Sequence, residues 1–380
     1  MNHTSKLPNV DTTIFTVMSN LAKEHNAINL SQGFPNFKSD QKLIDLVVKA
    51  MNDGFNQYAP MLGALSLREA IANKFQKLYQ STYNPANEIA VTCGATQAIY
   101  TIISAFINAN DEVIIFKPAY DCYEPAIAVN GGKSVAIQLN YPGYSVDWKL
   151  VENSITQKTK MIIINSPQNP CGTVFSKEDM LELERITKDT DIIVLSDEVY
   201  EHMIFDGLEH QSACLFPGLK QRTFITASFG KTFHTTGWKL GYCCGPKELM
   251  KEFIKVHQFN VYCVNHPTQI AIAEHMNDAS TYNNLSQFFQ QKRVLFLDAL
   301  KGSKFKWIPA QATYFQVLDY SEITNENDVE FAKRLTIEKG VAAIPLSVFN
   351  ENSLDEKVLR FCFAKTDKTL LEAAKILQNI

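Results

Sequence analysis

Hydrophobic residues near the N-terminus recur at the spacing of an amphipathic helix. This pattern predicts a helix over residues 12–25 and a second one over residues 41–51, beyond a turn-rich segment. A third helix is expected from Ser66 to Tyr79, because Ser66-Leu-Arg-Glu69 has the pattern of a capping box. The first part of the chain is therefore predicted to be mainly helical.

The pattern changes at residue 88, where short apolar runs rich in Ile and Val begin to alternate with stretches at helical spacing. These runs cover residues 88–92, 112–116, 133–139, 161–165, 192–195, 223–226 and 240–244. They lack polar alternation, so helices are expected on both faces of the sheet, including one over residues 177–188 that opens with the capping box Ser176-Lys-Glu-Asp179. The predicted fold class is α/β, with a mostly parallel central sheet between layers of helices.

Beyond about residue 270 the pattern indicates a smaller α+β domain. Helices are expected over residues 268–278, 282–300 and 327–339, the last ended by Gly340, and a final helix begins near residue 367. Apolar runs that predict strands cover residues 312–318, 341–344 and 358–363. We therefore expect a large domain over residues 43–281 and a small domain formed by residues 1–42 and 282–380.

Composition and charge narrow the function classes. Of the 380 residues, 46% are hydrophobic and 20% are charged, which excludes a globally disordered protein. The formal net charge is −4, and basic residues occur only as scattered pairs such as Lys292-Arg293, so no nucleic-acid partner is expected. No apolar run reaches the length of a membrane span, and the N-terminus lacks a hydrophobic signal core. The expectation is a cytoplasmic protein without a membrane partner.

The cysteines and histidines show no spacing that is typical of a metal site. The eight cysteines include no C-x-x-C pair, and the eight histidines form no H-E-x-x-H motif. Disulfide frameworks are typical of short secreted chains, so free and mostly buried thiols are expected here. We predict no metal.

Polar residues follow four of the predicted strands, at the edge of a parallel sheet where ligands bind. These segments are Cys93-Gly94-Ala95-Thr96, Asn165-Ser-Pro-Gln-Asn169-Pro170, Ser196-Asp197-Glu-Val-Tyr200 and Ala227-Ser228-Phe-Gly-Lys231-Thr232, with Thr236-Gly-Trp-Lys239 shortly after. Because the carboxyl ends of parallel strands lie at one edge of the sheet, these side chains are expected to be neighbours.

Each segment taken alone also has a purely structural explanation. Gly94-Ala95-Thr96 opens a helix whose free N–H groups favour an anion, but it also fits an ordinary helix start. Asp197 either caps the next helix or faces a cation, since an unpaired carboxylate after an apolar strand is costly. Tyr200 fits a packing aromatic residue, and Asn169 before a proline fits a turn.

Lys231 is the most informative of these residues. Gly230-Lys231-Thr232 resembles the end of a phosphate-binding P-loop, but Ile225 stands where that motif needs glycine, so this type of ATP site is excluded. No G-x-G-x-x-G follows a predicted strand, which argues against a nicotinamide enzyme. A lysine that is partly desolvated at a strand end has a lowered pKa and suits Schiff-base chemistry, although a surface lysine is the usual alternative. An acid, a phenol, an amide, an anion-binding helix start and a lysine are together the groups that pyridoxal phosphate requires.

Longer motifs in the same order resemble the class I aminotransferases, which are pyridoxal-phosphate enzymes of fold type I. The motifs are Ser228-Phe-Gly-Lys231-Thr-Phe-His-Thr-Thr-Gly-Trp-Lys239-Leu-Gly241 at the cofactor attachment site, Asn165-Ser-Pro-Gln-Asn-Pro-Cys-Gly172 and Ser196-Asp-Glu-Val-Tyr200 at the cofactor ring, and Leu359-Arg360-Phe-Cys-Phe363 at the substrate carboxylate. Three further segments are similar to the kynurenine, glutamine and methionine aminotransferase branch: Asn29-Leu-Ser-Gln-Gly-Phe-Pro35, Asn56-Gln-Tyr-Ala-Pro60 and Tyr120-Asp-Cys-Tyr-Glu-Pro125. Val264-Asn265-His-Pro-Thr-Gln269 is similar to the bacterial methionine aminotransferases.

The resemblance implies a role for each cofactor-binding residue. Lys231 would bond covalently to the cofactor and then move the proton, and Asp197 would pair with the pyridine nitrogen. Asn169 and Tyr200 would bond the phenolic oxygen, while Tyr120 would stack on the ring. The phosphate would lie among Gly94, Ala95, Thr96, Ser228 and Lys239, with Tyr58 reaching in from the second subunit of a homodimer. Lys239 stands where many members of the wider class have arginine.

The resemblance also implies a substrate site. Arg360 would hold the substrate α-carboxylate in a bidentate fork, helped by Asn169 and the backbone of Gly33. Phe15 and Phe34 would lie near the substrate side chain, although core packing is an equal alternative for both. No second arginine occurs in the motifs that form the pocket, so we expect a substrate amino acid with a neutral side chain.

These features predict ping-pong transamination between a neutral amino acid and a 2-oxo acid. Methionine is the favoured amino donor, with glutamine, aromatic amino acids or kynurenine as further candidates. A pyridoxal-phosphate-dependent C–S β-lyase on the same fold is the alternative, because the attachment motif does not separate the two reactions. A cofactor-binding regulator would need a DNA-binding module, for which the pattern leaves no residues.

Overall fold

The computed structural model describes residues 4–8 and 10–380. The strands are β1 (Ile28–Asn29), β2 (Ile89–Thr92), β3 (Glu112–Lys117), β4 (Lys133–Gln138), β5 (Thr159–Asn165), β6 (Ile193–Asp197), β7 (Thr223–Ser228), β8 (Gly241–Cys244), β9 (Phe315–Asp319), β10 (Val341–Ala342), β11 (Ile344–Pro345) and β12 (Val358–Cys362). The α-helices are α1 (Ile14–Glu24), α2 (Gln41–Asn52), α3 (Leu65–Tyr79), α4 (Gly94–Phe106), α5 (Tyr123–Val129), α6 (Trp148–Ser154), α7 (Lys177–Thr187), α8 (Pro217–Lys220), α9 (Phe229–Thr232), α10 (Lys247–Asn260), α11 (His266–His275), α12 (Ser280–Asn283), α13 (Leu285–Ala299), α14 (Asp328–Arg334) and α15 (Asp367–Leu377).

Among the described residues, seven strands form the central sheet, in the order β2-β8-β7-β6-β5-β3-β4. The strands from β7 to β4 run parallel to their neighbours, and β8 is antiparallel to both β2 and β7. The fold class predicted from the apolar runs is thereby confirmed. The carboxyl ends of β5, β6 and β7 lie side by side, so the residues that follow them share one edge.

Both faces of the central sheet are covered, which explains the absence of polar alternation in its strands. In β3, Ile114 packs into a large core that also contains residues of α3 and α7. Its neighbour Ile115 packs into a second core with residues of α4, α5 and α10. Because helices occupy both faces, the edge beyond the strand ends remains for a ligand.

The predicted smaller α+β part is also present. Strands β11, β12 and β9 form an antiparallel sheet, in which Arg360 of β12 lies opposite Val317 of β9. Strand β1 pairs in parallel with β10, which joins the N-terminal segment to this part of the chain. The helix predicted over residues 327–339 consists of α14 and a π-helical turn, Leu335–Lys339, and it ends at Gly340 with φ 76°.

The capping box predicted at Ser66 is wrong. Helix α3 begins at Leu65 and its N-cap is Ala64, whose side chain cannot accept a hydrogen bond. The backbone N–H of Ala64 instead donates to Oε1 of Gln269 on α11 at 2.7 Å. A tertiary contact therefore supports this helix start, and local sequence could not reveal it. The capping box of Ser176 and Asp179 on α7 is confirmed.

Two further findings concern the described residues as a group. In the part that the structure describes, no helix has the length and apolar character needed to cross a membrane. The eight cysteines are free, and five of them are buried, in agreement with the prediction of reduced thiols.

Candidate active site

A cavity of about 280 Å³ lies at the carboxyl ends of β5, β6 and β7. Its wall is formed by residues from several elements, and both Lys231 and Asp197 are among them. The predicted site residues that line it are Phe15, Gly33, Gly94, Ala95, Thr96, Tyr120, Asn169, Asp197, Tyr200, Ser228, Lys231, Lys239 and Arg360. This volume is near the lower end of the roughly 300–1,000 Å³ typical of small-molecule pockets.

Asp197 is a buried carboxylate at the end of β6, and only 3% of it is exposed. The hydroxyl of Tyr123 donates to its Oδ2 at 2.6 Å, and the backbone N–H of Val199 donates to Oδ1 at 3.4 Å. Burial raises the pKa of Asp197 to about 6, against the opposing effect of these hydrogen bonds. No Lys, Arg or His side chain of the described residues lies within 4.0 Å of it. Such a carboxylate is suited to face a cationic ligand.

Lys231 stands on the short helix α9, directly after β7. Its Nζ donates to the backbone carbonyl of Gly33 at 3.3 Å and lies 5.8 Å from the ring centroid of Tyr200. Burial, together with the cations Arg360 and Lys239, lowers the pKa of Lys231 to about 8. An amine of this kind is available in its neutral form near physiological pH, as nucleophilic and proton-transfer chemistry requires.

The start of helix α4 forms an anion-binding end of the cavity. Its N-cap residue, Cys93, makes no side-chain hydrogen bond to the helix, so the first backbone N–H groups remain available. A Cβ at Gly94 would lie 3.3 Å from Nζ of Lys239. A Cβ at Gly241 would lie 2.6 Å from the carbonyl oxygen of Ala227 on β7 and 2.9 Å from the backbone nitrogen of Ala95, so only glycine allows β8 to pack this closely beside the helix start. The resulting concavity suits a phosphate.

Arg360 lies on the opposite side of the cavity, on β12, and is 1% exposed. Its Nη1 donates to Oδ1 of Asn169 at 2.8 Å, and its Nη2 donates to the carbonyl of Ser31 at 2.8 Å. The guanidinium carbon is 4.0 Å from the ring centroid of Phe315 and 5.1 Å from that of Phe15. Its buried Nε has no hydrogen-bond partner among the described residues. The guanidinium is held in place by these contacts and retains donors for a carboxylate.

Asn169, Tyr120 and Tyr200 form the part of the cavity wall between the start of α4 and Arg360. The backbone N–H of Asn169 donates to Oδ1 of Asn165 at 2.8 Å, which fixes the loop after β5. Tyr200 is 2% exposed, and its ring packs edge-on against Tyr314 at 5.3 Å. The hydroxyl of Tyr120 lies 3.4 Å from Oγ1 of Thr96 at the start of α4.

Two predicted residues do not line the cavity. Phe34 is 43% exposed, its ring lies 4.8 Å from Nζ of Lys365, and its carbonyl accepts from the same Nζ at 2.7 Å. Tyr58 is 83% exposed and packs edge-on against Tyr262, with the ring centroids 5.7 Å apart. In this single chain, Tyr58 therefore lies apart from the cavity.

Sequence reasoning missed Tyr123, Tyr314 and Phe315 as residues of the site. Tyr123 stands three residues after Tyr120 and begins α5, and no spacing in the sequence indicates that its hydroxyl reaches Asp197. Tyr314 and Phe315 precede or begin β9, far along the chain, and no local pattern placed them beside Arg360 or Tyr200.

The residues of the cavity fit pyridoxal phosphate. Asp197 is a buried carboxylate without a cationic partner among the described residues, and Lys231 is an amine with a lowered pKa. The helix start beside Gly94 and Gly241 provides a cradle that a Cβ would fill. Each feature matches one part of the cofactor: its ring nitrogen, its aldehyde and its phosphate.

Comparison with known proteins agrees with this fit. The family pattern of aminotransferase class I and II matches residues 25–377. The chain is 44% identical to the methionine aminotransferase of Escherichia coli (strain K12), over 99% of this chain and 98% of that protein. It is 35% identical to the human kynurenine–oxoglutarate transaminase 3, over 98% and 89% of the two chains. A solved structure from Escherichia coli, reported with a methionine aminotransferase function, has a TM-score of 0.98 and covers 100% of both chains at 44% identity.

The three relatives are transaminases, which supports transamination and gives no support to the C–S β-lyase alternative. The chain belongs to the class I and II aminotransferases, a family of pyridoxal-phosphate-dependent enzymes.

Proposed function

We propose that this aminotransferase transfers the amino group of a neutral amino acid, with methionine favoured, to a 2-oxo acid. Glutamine, aromatic amino acids and kynurenine are further candidate donors. The wall of the cavity supports the proposal, because Arg360 is the single arginine among the described residues that line it. A substrate with a second carboxylate would need a second cation at the opposite end, and Lys239 stands beside the phosphate cradle instead. The named activities of the relatives point the same way.

Pyridoxal phosphate, when bound, supplies an electrophilic aldehyde and a ring that accepts electron density from the substrate Cα. The buried carboxylate of Asp197 would pair with the ring nitrogen of the cofactor and favour its protonated form. Since this charge matters most while negative charge develops at Cα, the contribution of Asp197 falls mainly on the chemical step. Tyr123, which donates to Asp197 at 2.6 Å, favours the charged form of the carboxylate and opposes part of the effect of burial on its pKa.

Lys231 carries the proton transfer in this proposal. With its pKa lowered to about 8, its Nζ is neutral in a useful fraction of molecules near neutral pH. It can therefore accept the proton that the substrate Cα releases and deliver a proton in the next step. The carbonyl of Gly33, 3.3 Å from Nζ, gives the free amine an acceptor within the cavity.

The remaining residues orient the two reactants. Arg360 holds the α-carboxylate, and its hydrogen bond to Asn169 links the substrate site to the residue proposed to bond the phenolic oxygen of the cofactor together with Tyr200. Tyr120, which lines the cavity, would stack on the cofactor ring. Phe15 and Phe315 flank the guanidinium of Arg360 and exclude water around it, which strengthens its bond to a carboxylate.

We further propose that the enzyme is a cytoplasmic homodimer in which Tyr58 enters the cofactor site of the partner subunit. Exposed aromatic residues support a protein interface at this position: Tyr58 is 83% exposed, Phe259 is 87% exposed, and Tyr262 packs against Tyr58. We propose the division into a large domain over residues 43–281 and a small domain over residues 1–42 and 282–380.

The observation that carries the proposal is that Lys231, Asp197 and Arg360 line one cavity. The test is a panel of amino acids assayed against several 2-oxo acids with the purified enzyme, following both keto and amino products. We expect methionine to give the highest kcat/KM, with aspartate and glutamate lower by at least tenfold. A preference for aspartate, or release of ammonia and thiol in place of amino transfer, would contradict the proposal.

A further inference from the structure

Residues 31–34, here called the carbonyl strap, run along the cavity with their backbone carbonyls directed toward donor side chains. All four successive carbonyls accept a hydrogen bond. The donors are Nη2 of Arg360 to Ser31 (2.8 Å), Nζ of Lys365 to Gln32 (3.3 Å), Nζ of Lys231 (3.3 Å) and the hydroxyl of Tyr314 (2.6 Å) to Gly33, and Nζ of Lys365 to Phe34 (2.7 Å). Three cationic side chains therefore hold one short backbone segment.

The first two residues of the strap are also fixed through their N–H groups and the side chain of Gln32. The Oδ1 of Asn29 accepts from the backbone N–H of Ser31 at 3.0 Å and from that of Gln32 at 3.2 Å. The side-chain amide of Gln32 donates to the carbonyl of Phe15 at 3.0 Å. The strap thus connects Phe15 and Arg360, the residues at the proposed carboxylate site, to Lys231.

Lys365 differs from the other two cations that bind the strap. It lies three residues beyond the end of β12 and is 2% exposed, but it does not line the cavity. In the described part of the chain, no carboxylate lies within 4.0 Å of its Nζ. Its polar contacts are the carbonyls of Gln32 and Phe34, and the ring of Phe34 lies 4.8 Å away. Burial of an ammonium group costs free energy unless hydrogen-bond acceptors replace the water that it loses. For Lys365 these acceptors are two carbonyls of the strap.

The donors of the strap have different fates during the proposed reaction. Lys231 would leave the Gly33 carbonyl to hold the cofactor, and Arg360 would share its donors between Ser31 and the substrate carboxylate. Lys365 lies outside the cavity and keeps both of its carbonyls in every step. Lys365 is therefore the cation able to keep the strap in one position while the other two cations change partners, and the Tyr314 hydroxyl, which also lies outside the cavity, supports Gly33 alone.

We propose that Lys365 is a positioning residue that fixes the carbonyl strap, and through it Arg360 and Gly33, for binding of the substrate carboxylate. This inference rests on the proposed function, since the substrate is an amino acid bound through its carboxylate. Its effect falls on substrate affinity, because Lys365 touches neither Asp197 nor the phosphate cradle.

The test compares Lys365→Met, which keeps the length of the side chain but removes the charge and the donors, with Lys365→Arg, which restores both. Lys368→Met is the matched control, because Lys368 stands one turn along on α15 with 83% of its side chain exposed. Lys365→Gln is measured in parallel, so that a neutral variant remains if Lys365→Met does not fold. The measurements are KM and kcat of the holoenzyme with methionine, the affinity for added pyridoxal phosphate, and hydrogen exchange of the strap amides with and without the cofactor.

We expect the neutral variants to raise KM at least tenfold while kcat stays within threefold and cofactor affinity is unchanged. Exchange of the strap amides should become faster both with and without the cofactor, Lys365→Arg should recover most of the KM, and Lys368→Met should match the wild type. An unchanged KM in a folded neutral variant would overturn the proposal. So would a parallel loss of kcat and cofactor affinity, which would indicate a general structural defect.

The two proposals fail in different ways. If the wild type transaminates no neutral amino acid, the proposed function is wrong, while the exchange of the strap amides still reports whether Lys365 fixes the strap. If the wild type is active and the neutral variants keep its KM, only the role of Lys365 is wrong.

Discussion

The substitution Asp197→Asn should stabilise the enzyme without its cofactor and at the same time remove most of its activity. The folded protein raises the pKa of Asp197 to about 6 from the ordinary value of 3.8, because the carboxylate is buried. The stability that this group contributes is complete below pH 3.8 and is lost as the pH rises through 6, because the unfolded chain ionises more easily. Asparagine does not ionise and can still accept the hydrogen bond of Tyr123.

The magnitude follows from the size of the pKa change. A difference of about two units corresponds to about 3 kcal/mol at about 1.4 kcal/mol per unit. The free energy of unfolding of the wild type without cofactor should therefore fall by about 2.5 kcal/mol more than that of Asp197→Asn between pH 4 and pH 8, since a small part of the effect is already lost at pH 4. In the holoenzyme, kcat of Asp197→Asn should fall by orders of magnitude, since the ring nitrogen loses its counter-charge.

The assay is urea unfolding of cofactor-free wild type and variant at several pH values, with Asp298→Asn as the control. Asp298 lies on α13 with 56% of its side chain exposed, so its substitution should leave the pH dependence unchanged. Equal pH dependence in wild type and Asp197→Asn would refute the reasoning that burial disfavours the charged carboxylate. A near-normal kcat in the variant would refute its proposed catalytic role.

The remaining predictions concern the substrate and the dimer. Arg360→Lys should raise KM for methionine roughly 10- to 100-fold, because one charge-assisted hydrogen bond of about 1.5–3 kcal/mol is lost. The exposed control Arg185→Lys should keep the wild-type KM. Steady-state kinetics tests both, and an unchanged KM in Arg360→Lys would show that Arg360 does not bind the substrate. Tyr58→Phe and Lys231→Ala should each be impaired, but their hybrid dimer contains one intact site. Random mixing of subunits should then restore about a quarter of wild-type activity, and no recovery would contradict the shared site.

Much of the fold could be predicted because its signals are local. The apolar runs of the central strands lack polar alternation, and Ile114 and Ile115 pack into opposite cores as that pattern requires. The positions just after β5, β6 and β7 follow from the parallel arrangement, since the carboxyl ends of such strands meet at one edge. For this reason Asn169, Asp197 and Lys231 were expected together, and all three line the cavity.

The parts that could not be predicted depend on contacts between distant segments. Helix α3 begins at an alanine because Gln269, over 200 residues away, accepts the hydrogen bond of its N-cap N–H. Phe34 was predicted from its motif to line the substrate pocket, but both its carbonyl and its ring contact Lys365, which lies outside the cavity. Tyr314 bonds the Gly33 carbonyl across the chain, and no periodicity links the two positions.

The central claim is that Lys231 is the amine that bonds the cofactor. The most direct measurement is reduction of the holoenzyme with borohydride, followed by mass spectrometry of its peptides. The peptide that contains Lys231 should gain the mass of the reduced cofactor in the wild type, and Lys231→Ala should show no modified peptide. Modification of another lysine, or an unmodified wild type that nevertheless transaminates, would contradict the account.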